Sequence, residues 1–187
     1  MENLTQYWNN AITFEEYLSD INGVIEHPVN PDYTEYYVLN KRRIERLLKT
    51  YKAEEAQKDV FNTKQFKGKF LVITEGWCGD AAQSLPVIHQ FFKEKVEIKY
   101  IYRDANPELM DMFLTNGSKS IPIVIITDEN NRVLNYWGPR PEFGNELLRR
   151  YKESQPEYSK DQFMQDMQTA YNKDKGNSII AEILDKL

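Results

Sequence analysis

The order in which β-branched runs and helical stripes follow one another from Phe70 to Tyr151 constrains this chain more than any other feature. "FLVIT" (Phe70 to Thr74) is a short apolar run, "QSLPVIHQFF" suits a helix, and "VEIKYIY" (Val96 to Tyr102) starts with apolar and polar residues in alternation. Two strands joined through a helix should lie parallel in one sheet. "NPELMDMFLTNG" then reads as a helix with Pro107 at its start and Asn116-Gly117 at its end. "PIVIIT" and "RVLNYW", joined by "DENN", read as an antiparallel hairpin, and "PEFGNELLRRY" closes the series with the stripe Phe143, Leu147, Leu148 and Tyr151. The order is β-α-β-α-β-β-α, an α/β core on a mixed sheet.

Helical patterns flank this core. Thr13 and Glu16 have capping-box spacing, and Phe14, Tyr17, Leu18 and Ile21 make one apolar face that Asn22-Gly23 is expected to end. "HPVNPDYTEYY" reads as a connection, and a second helix is expected from about Glu35 to Ala56. Near the C-terminus Ser159 and Gln162 repeat the box ahead of Phe163, Met167 and Tyr171, and a last amphipathic stretch carries Ile179, Ile180, Ile183, Leu184 and Leu187. The 187 residues suit one domain with extensions. The expected division is a helical N-terminal extension at 1–60, the core at 61–152 and a helical C-terminal extension at 153–187, both extensions packing on the core.

The charge balance narrows the function. With 24 basic and 29 acidic residues the net charge is −5, which gives no footprint for nucleic acid. The only basic cluster, Lys41 to Arg43, reads as the solvated face of a helix. His27 and His89 stand at no ligand spacing from each other or from the cysteine, so no metal site is expected. No apolar run approaches a membrane span, and the N-terminus shows neither a basic leader nor an apolar signal region, so a cytoplasmic protein is expected. A single cysteine fits a fold that needs no intramolecular disulfide.

That cysteine, Cys78, stands in "TEGWCGDAAQSLP", after a strand and at the start of a helix. Free N–H groups and the helix dipole at such a position favour a thiolate and should lower the thiol pKa. Asp80 acts in the opposite sense, so the net direction stays open. Arg103, Asp104 and Arg140, at strand ends and in the loop after a strand, stand where charges can approach an active site, though an ordinary surface role is the expected one.

"WCGDAAQSLP" resembles the active-site segment of thioredoxin, W-C-G-P-C followed by a helix with a proline eight residues after the first cysteine. Trp77, Cys78, Gly79 and Pro86 match without a gap, and "SIPIVIIT" resembles the segment where a cis-proline opens a strand facing the cysteine, with Ile121 and Pro122 in those positions. The resemblance spans Lys67 to Tyr151 and implies a thioredoxin-like three-layer fold with helical extensions. Within the superfamily "WCGDA" looks most like a set of bacterial thioredoxin-like proteins. The resemblance implies Cys78 as the catalytic thiol and Trp77, Gly79, Asp80, Ala81, Ile121 and Pro122 as the surface around a bound substrate, where a cis-proline would leave the Ile121 backbone to pair with an added peptide strand. Gly138 falls near a glycine position of the family, though "GPRP" departs from its usual residues.

Two departures bear on the reaction. Ala81 replaces the resolving cysteine, so a mixed disulfide has no internal nucleophile to release it. Val72 occupies the position of the family's buried acid. The expected function is therefore a monothiol redox protein acting on disulfides or oxidised thiols through Cys78, with no resident cofactor and with glutathione or another low-molecular-weight thiol as co-substrate. Its partners would be protein or small-molecule thiols and disulfides, not nucleic acid or membrane. The alternatives are a redox-inactive peptide-binding module on the same fold and an assembly scaffold acting through the helical extensions.

Overall fold

The computed structural model describes residues 2–28 and 30–187, and within these the side chains of residues 31 and 32 are excepted. In chain order the elements are α1 (Thr5–Asn10), α2 (Phe14–Glu26), α3 (Pro31–Thr50), α4 (Glu55–Lys64), β1 (Gly68–Thr74), α5 (Gly79–Phe92), β2 (Glu97–Tyr102), α6 (Pro107–Asp111), β3 (Ile123–Asp128), β4 (Val133–Trp137), α7 (Glu142–Glu153), α8 (Lys160–Asp174) and α9 (Asn177–Leu184).

The strands form one mixed sheet in the order β2-β1-β3-β4, with β1 parallel to β2 and antiparallel to β3, and with β3 and β4 as a hairpin. This is the α/β arrangement that the element order implies and the thioredoxin-like fold with helical extensions that the resemblance implies. The two central strands are apolar along nearly their whole length because both faces are covered: Phe70 to Ile73 and Ile123 to Ile126 are all fully buried. At the edge, β4 alternates, with Leu134 and Tyr136 exposed and Trp137 buried. The outer edge of β2 is closed by the chain itself, since Ile12 and Tyr100 exchange backbone hydrogen bonds at 2.8 Å in both directions.

The extensions are tied down by cap chemistry and aromatic packing. Both capping boxes form: Glu16 N–H donates to Thr13 Oγ1 (3.2 Å) and Thr13 N–H to Glu16 Oε2 (2.7 Å), and Ser159 and Gln162 repeat the exchange at 3.2 and 2.9 Å. Phe14 stacks on His89 of α5 at 4.2 Å between centroids, and Tyr17 on Tyr100 of β2 at 5.7 Å. These contacts join α2 to both the sheet and the helix that carries the cysteine. On the other side of α5, Ile179, Ile180, Ile183 and Leu184 of α9 are fully buried.

Four expectations need correction. Asn22-Gly23 does not end α2, which runs to Glu26; a Cβ at Gly23 would meet nothing within 4 Å, so it lies on an open face, and the propensity cost of about 1 kcal/mol is outweighed by burial of Phe14, Tyr17 and Ile21. The connection read across His27 to Tyr37 is helical from Pro31 onward, because proline is tolerated in a first helical turn; Val29 lies outside the described residues. The single helix expected from Glu35 to Ala56 is two, broken over residues 51–54. The helix opened by Pro107 ends at Asp111, where Met112 and Phe113 N–H groups turn to carbonyls three residues back and tighten the chain.

Candidate functional site

The loop from Glu75 to Trp77 delivers Cys78 to the N-cap of α5. Cys78 N–H donates to the Glu75 carbonyl (3.1 Å), and Ala82 N–H donates to the Cys78 carbonyl (3.1 Å), so the backbone is fixed on both sides. The thiol is then held by two contacts. Sγ accepts from Ala81 N–H at 3.5 Å, as an N-cap side chain does, and donates to the Ile121 carbonyl at 3.4 Å. The Ile121–Pro122 peptide is cis, and it lies in the segment that faces the cysteine.

Burial decides the electrostatics. Cys78 is 8% exposed. Desolvation, followed by the nearby Asp80 charge, pushes the thiol pKa up to about 12, while the N–H groups of Ala81 and Asp80 and the Arg140 charge pull more weakly the other way. The helix start therefore offers the stabilisation read from sequence, and withdrawal from water exceeds it. At rest Cys78 is a protonated thiol.

Of the other residues singled out from sequence, Ala81, Ile121 and Pro122 are buried around the sulfur, while Gly79 and Asp80 line the cleft beside it. Trp77 is half-buried and packs instead against Tyr33 of α3 (6.0 Å between centroids) and under the Arg103 guanidinium (4.7 Å). Arg103 thus supports the site rather than lying on open surface. Val72 is fully buried in β1 and leaves its position without an acid, while Glu75, three residues on, is a buried carboxyl with its pKa raised by desolvation. Glu75 Oε1 accepts from Asp104 N–H at 2.9 Å, which ties the loop to the end of β2.

Asp80 is the most heavily engaged side chain of the motif. Its Oδ2 accepts from Arg140 Nε (3.0 Å) and Nη2 (2.6 Å), and its Oδ1 accepts from Tyr171 OH (2.8 Å). Three distant parts of the chain, the start of α5, the loop after β4 and α8, meet on this carboxylate. Arg140 is therefore not an ordinary surface charge but a structural partner of the motif. Asn40, which no sequence motif marks, is buried in α3, donates to the Gly76 carbonyl (3.0 Å) and accepts from Arg43 Nη1 (3.1 Å). The "KRR" cluster is solvated only in part, because Arg43 turns inward over Gly79.

This combination of a strand-loop-helix cysteine with a cis-proline segment opposite it is a fold-level signature, and the family comparison agrees. The thioredoxin family model matches residues 27–154. The chain belongs to the thioredoxin family. The match begins ahead of α3, so it takes in two helices of the N-terminal region as well as the sheet. Among solved structures, a thioredoxin-family chain of this shape is similar to a protein of unknown function from Pseudomonas aeruginosa, at 14% identity and TM-score 0.64, over 100% of this chain and 97% of that one. It is also similar to an HIV epitope-scaffold, at 14% identity and TM-score 0.66, over 99% and 97% of the two chains. At that identity both likenesses concern the fold alone. No curated protein matches the chain. Among the described residues, no helix of this thioredoxin-family protein is long and apolar enough to cross a membrane.

Proposed function

We propose that the protein is a monothiol member of the thioredoxin family, of the single-cysteine "WCGDA" type seen in bacteria, that exchanges disulfides slowly through Cys78 in the cytoplasm. The observation that carries this reading is the seat of the sulfur: 3.5 Å from a helix N-terminal N–H and 3.4 Å from the Ile121 carbonyl. The helix start offsets part of the desolvation that suppresses a thiolate at that seat, and an incoming strand reaches the buried Ile121 carbonyl only by displacing the Sγ contact.

The chemistry balances with one external thiol. Cys78 loses its proton and attacks one sulfur of a substrate disulfide; the new bond joins Cys78 to that sulfur, and the other sulfur leaves as a thiolate and takes up a proton. With Ala81 in place of a second thiol, glutathione or a similar monothiol attacks the substrate sulfur of the mixed disulfide. Cys78 is thereby released, and the substrate leaves as a disulfide with glutathione. Trp77, Gly79, Asp80, Ala81, Ile121 and Pro122 form the surroundings in which the substrate sulfur is received.

Turnover of a disulfide-linked peptide tests the scheme. Exchange faster than glutathione alone supplies is expected with wild-type protein, only that uncatalysed rate with Cys78→Ser, and no turnover without an added monothiol. Robust turnover by the protein with no added monothiol would overturn the reading of Ala81. A second reading has its own support in the burial and raised pKa of Cys78: a binding module in which the thiol is a protonated structural donor to Ile121. Failure of the wild-type protein to accelerate exchange at any glutathione concentration would favour it.

A further inference from the structure

Beside the start of α5 lies an open cleft of about 270 Å3 that shares Gly79 and Asp80 with the surroundings of the thiol and extends away from it to α8. Its lining combines the charged Arg43, Asp80 and Arg140 with the apolar Phe163, Met164 and Met167 of α8. Arg140 and Asp80 neutralise each other. Tyr171 takes the remaining Asp80 oxygen, so this carboxylate has little left to offer Arg43.

Arg43 is different. It is half-buried, and no carboxylate pairs with it among the described residues. Its guanidinium is nonetheless fixed: Nη1 donates to Asn40 Oδ1 at 3.1 Å, and Asn40 is itself anchored to the Gly76 carbonyl at 3.0 Å. A cation partly withdrawn from water with no carboxylate in contact, and only the shared Asp80 charge nearby, costs free energy, and a fixed fork of donors suits a planar anion. The apolar part of the lining adds an environment that an inorganic anion would not need. Met164 is 49% exposed and Met167 buried, and methionine adapts to the shape laid against it.

We propose that this cleft binds a small organic carboxylate with an apolar body, its carboxylate paired with Arg43 and its hydrocarbon laid along Phe163, Met164 and Met167. The ligand is small, because the cleft falls just below the roughly 300 to 1,000 Å3 of sites for drug-sized molecules. The uncompensated positive charge selects a monoanion over its neutral analogue. The site does not depend on Cys78, and its failure would leave the thiol reading untouched.

Octanoate and the neutral octanamide are the probes, followed by titration calorimetry on the full chain. Octanoate is expected to bind one site at least tenfold more tightly than octanamide. Arg43→Gln should weaken octanoate at least tenfold and leave octanamide unchanged. Met164→Glu, at an exposed position that should not disturb folding, should also weaken octanoate at least tenfold, and Cys78→Ser should bind as wild type. Absence of octanoate binding at millimolar concentration, equal affinity for the two probes, or octanoate affinity unchanged in Met164→Glu would each overturn the proposal. The same holds if only peptides bind.

Discussion

Replacing Arg140 by methionine is expected to destabilise the protein by about 3 kcal/mol, the scale of breaking a largely buried ion pair by removing one partner. For a chain of this length that corresponds to a melting temperature roughly 6 to 12 °C lower. Arg140 and Asp80 side chains are only 15% and 16% exposed, and Arg140 supplies two of the three hydrogen bonds that Asp80 accepts. Methionine keeps much of the bulk and leaves the carboxylate with Tyr171 alone, so the loss is electrostatic rather than a cavity. The double variant Asp80→Ala, Arg140→Met should be less destabilised than the sum of the two single variants, because each single change strands a charge that the double change removes. A loss under about 1 kcal/mol for Arg140→Met in urea denaturation would place the pair with ordinary surface bridges and detach it from this account.

Gly138→Ala should cost at least roughly 3 kcal/mol, through backbone that cannot yield. Gly138 has φ +127°, and a Cβ there would fall 2.2 Å from the Pro122 carbonyl oxygen and 3.3 Å from Ile123 Cα. The nearest atoms are all main chain of the segment that faces the cysteine. Relief requires that segment to move, so the variant should also alkylate Cys78 faster, as the Ile121 carbonyl is drawn away from Sγ. Equilibrium denaturation and the alkylation rate measure the two effects separately. Retention of stability within about 1 kcal/mol would mean that the two loops are not packed as described.

Local chemistry in the sequence made part of this molecule legible. The unbroken apolar runs at Phe70 to Ile73 and Ile123 to Ile126 are what two doubly covered strands require, and the Thr13/Glu16 and Ser159/Gln162 spacings state their caps outright. Helix limits were harder, since Gly23 and Pro31 are punctuation only where packing does not override them. At the site, "WCGD" and "SIP" point to the sulfur and to the segment it faces through their resemblance to the corresponding thioredoxin segments, and the Sγ contact to the Ile121 carbonyl brings the two together. Asn40, Arg43, Arg140 and Tyr171 come from elements far apart in the chain, and nothing local distinguishes an arginine that will reach Asp80 from one that will stay in water. The direction of the Cys78 shift was illegible for the same reason: the helix start and Asp80 are local, but the burial that outweighs the helix comes from the whole fold.

The low thiolate fraction also sets a rate. Relative to an ordinary thiol with a pKa of about 8.5, a thiol at about 12 has roughly 3,000-fold less thiolate at neutral pH; its greater intrinsic nucleophilicity recovers part of this, leaving exchange about a hundredfold slower. The most direct test is the rate of Cys78 alkylation by iodoacetamide between pH 6 and 10.5, followed by intact mass on the folded protein. Slow but complete reaction is expected, its rate rising about tenfold per pH unit with no plateau up to pH 10.5. A plateau below about pH 9 would contradict it by showing a thiolate that the fold stabilises rather than one it suppresses.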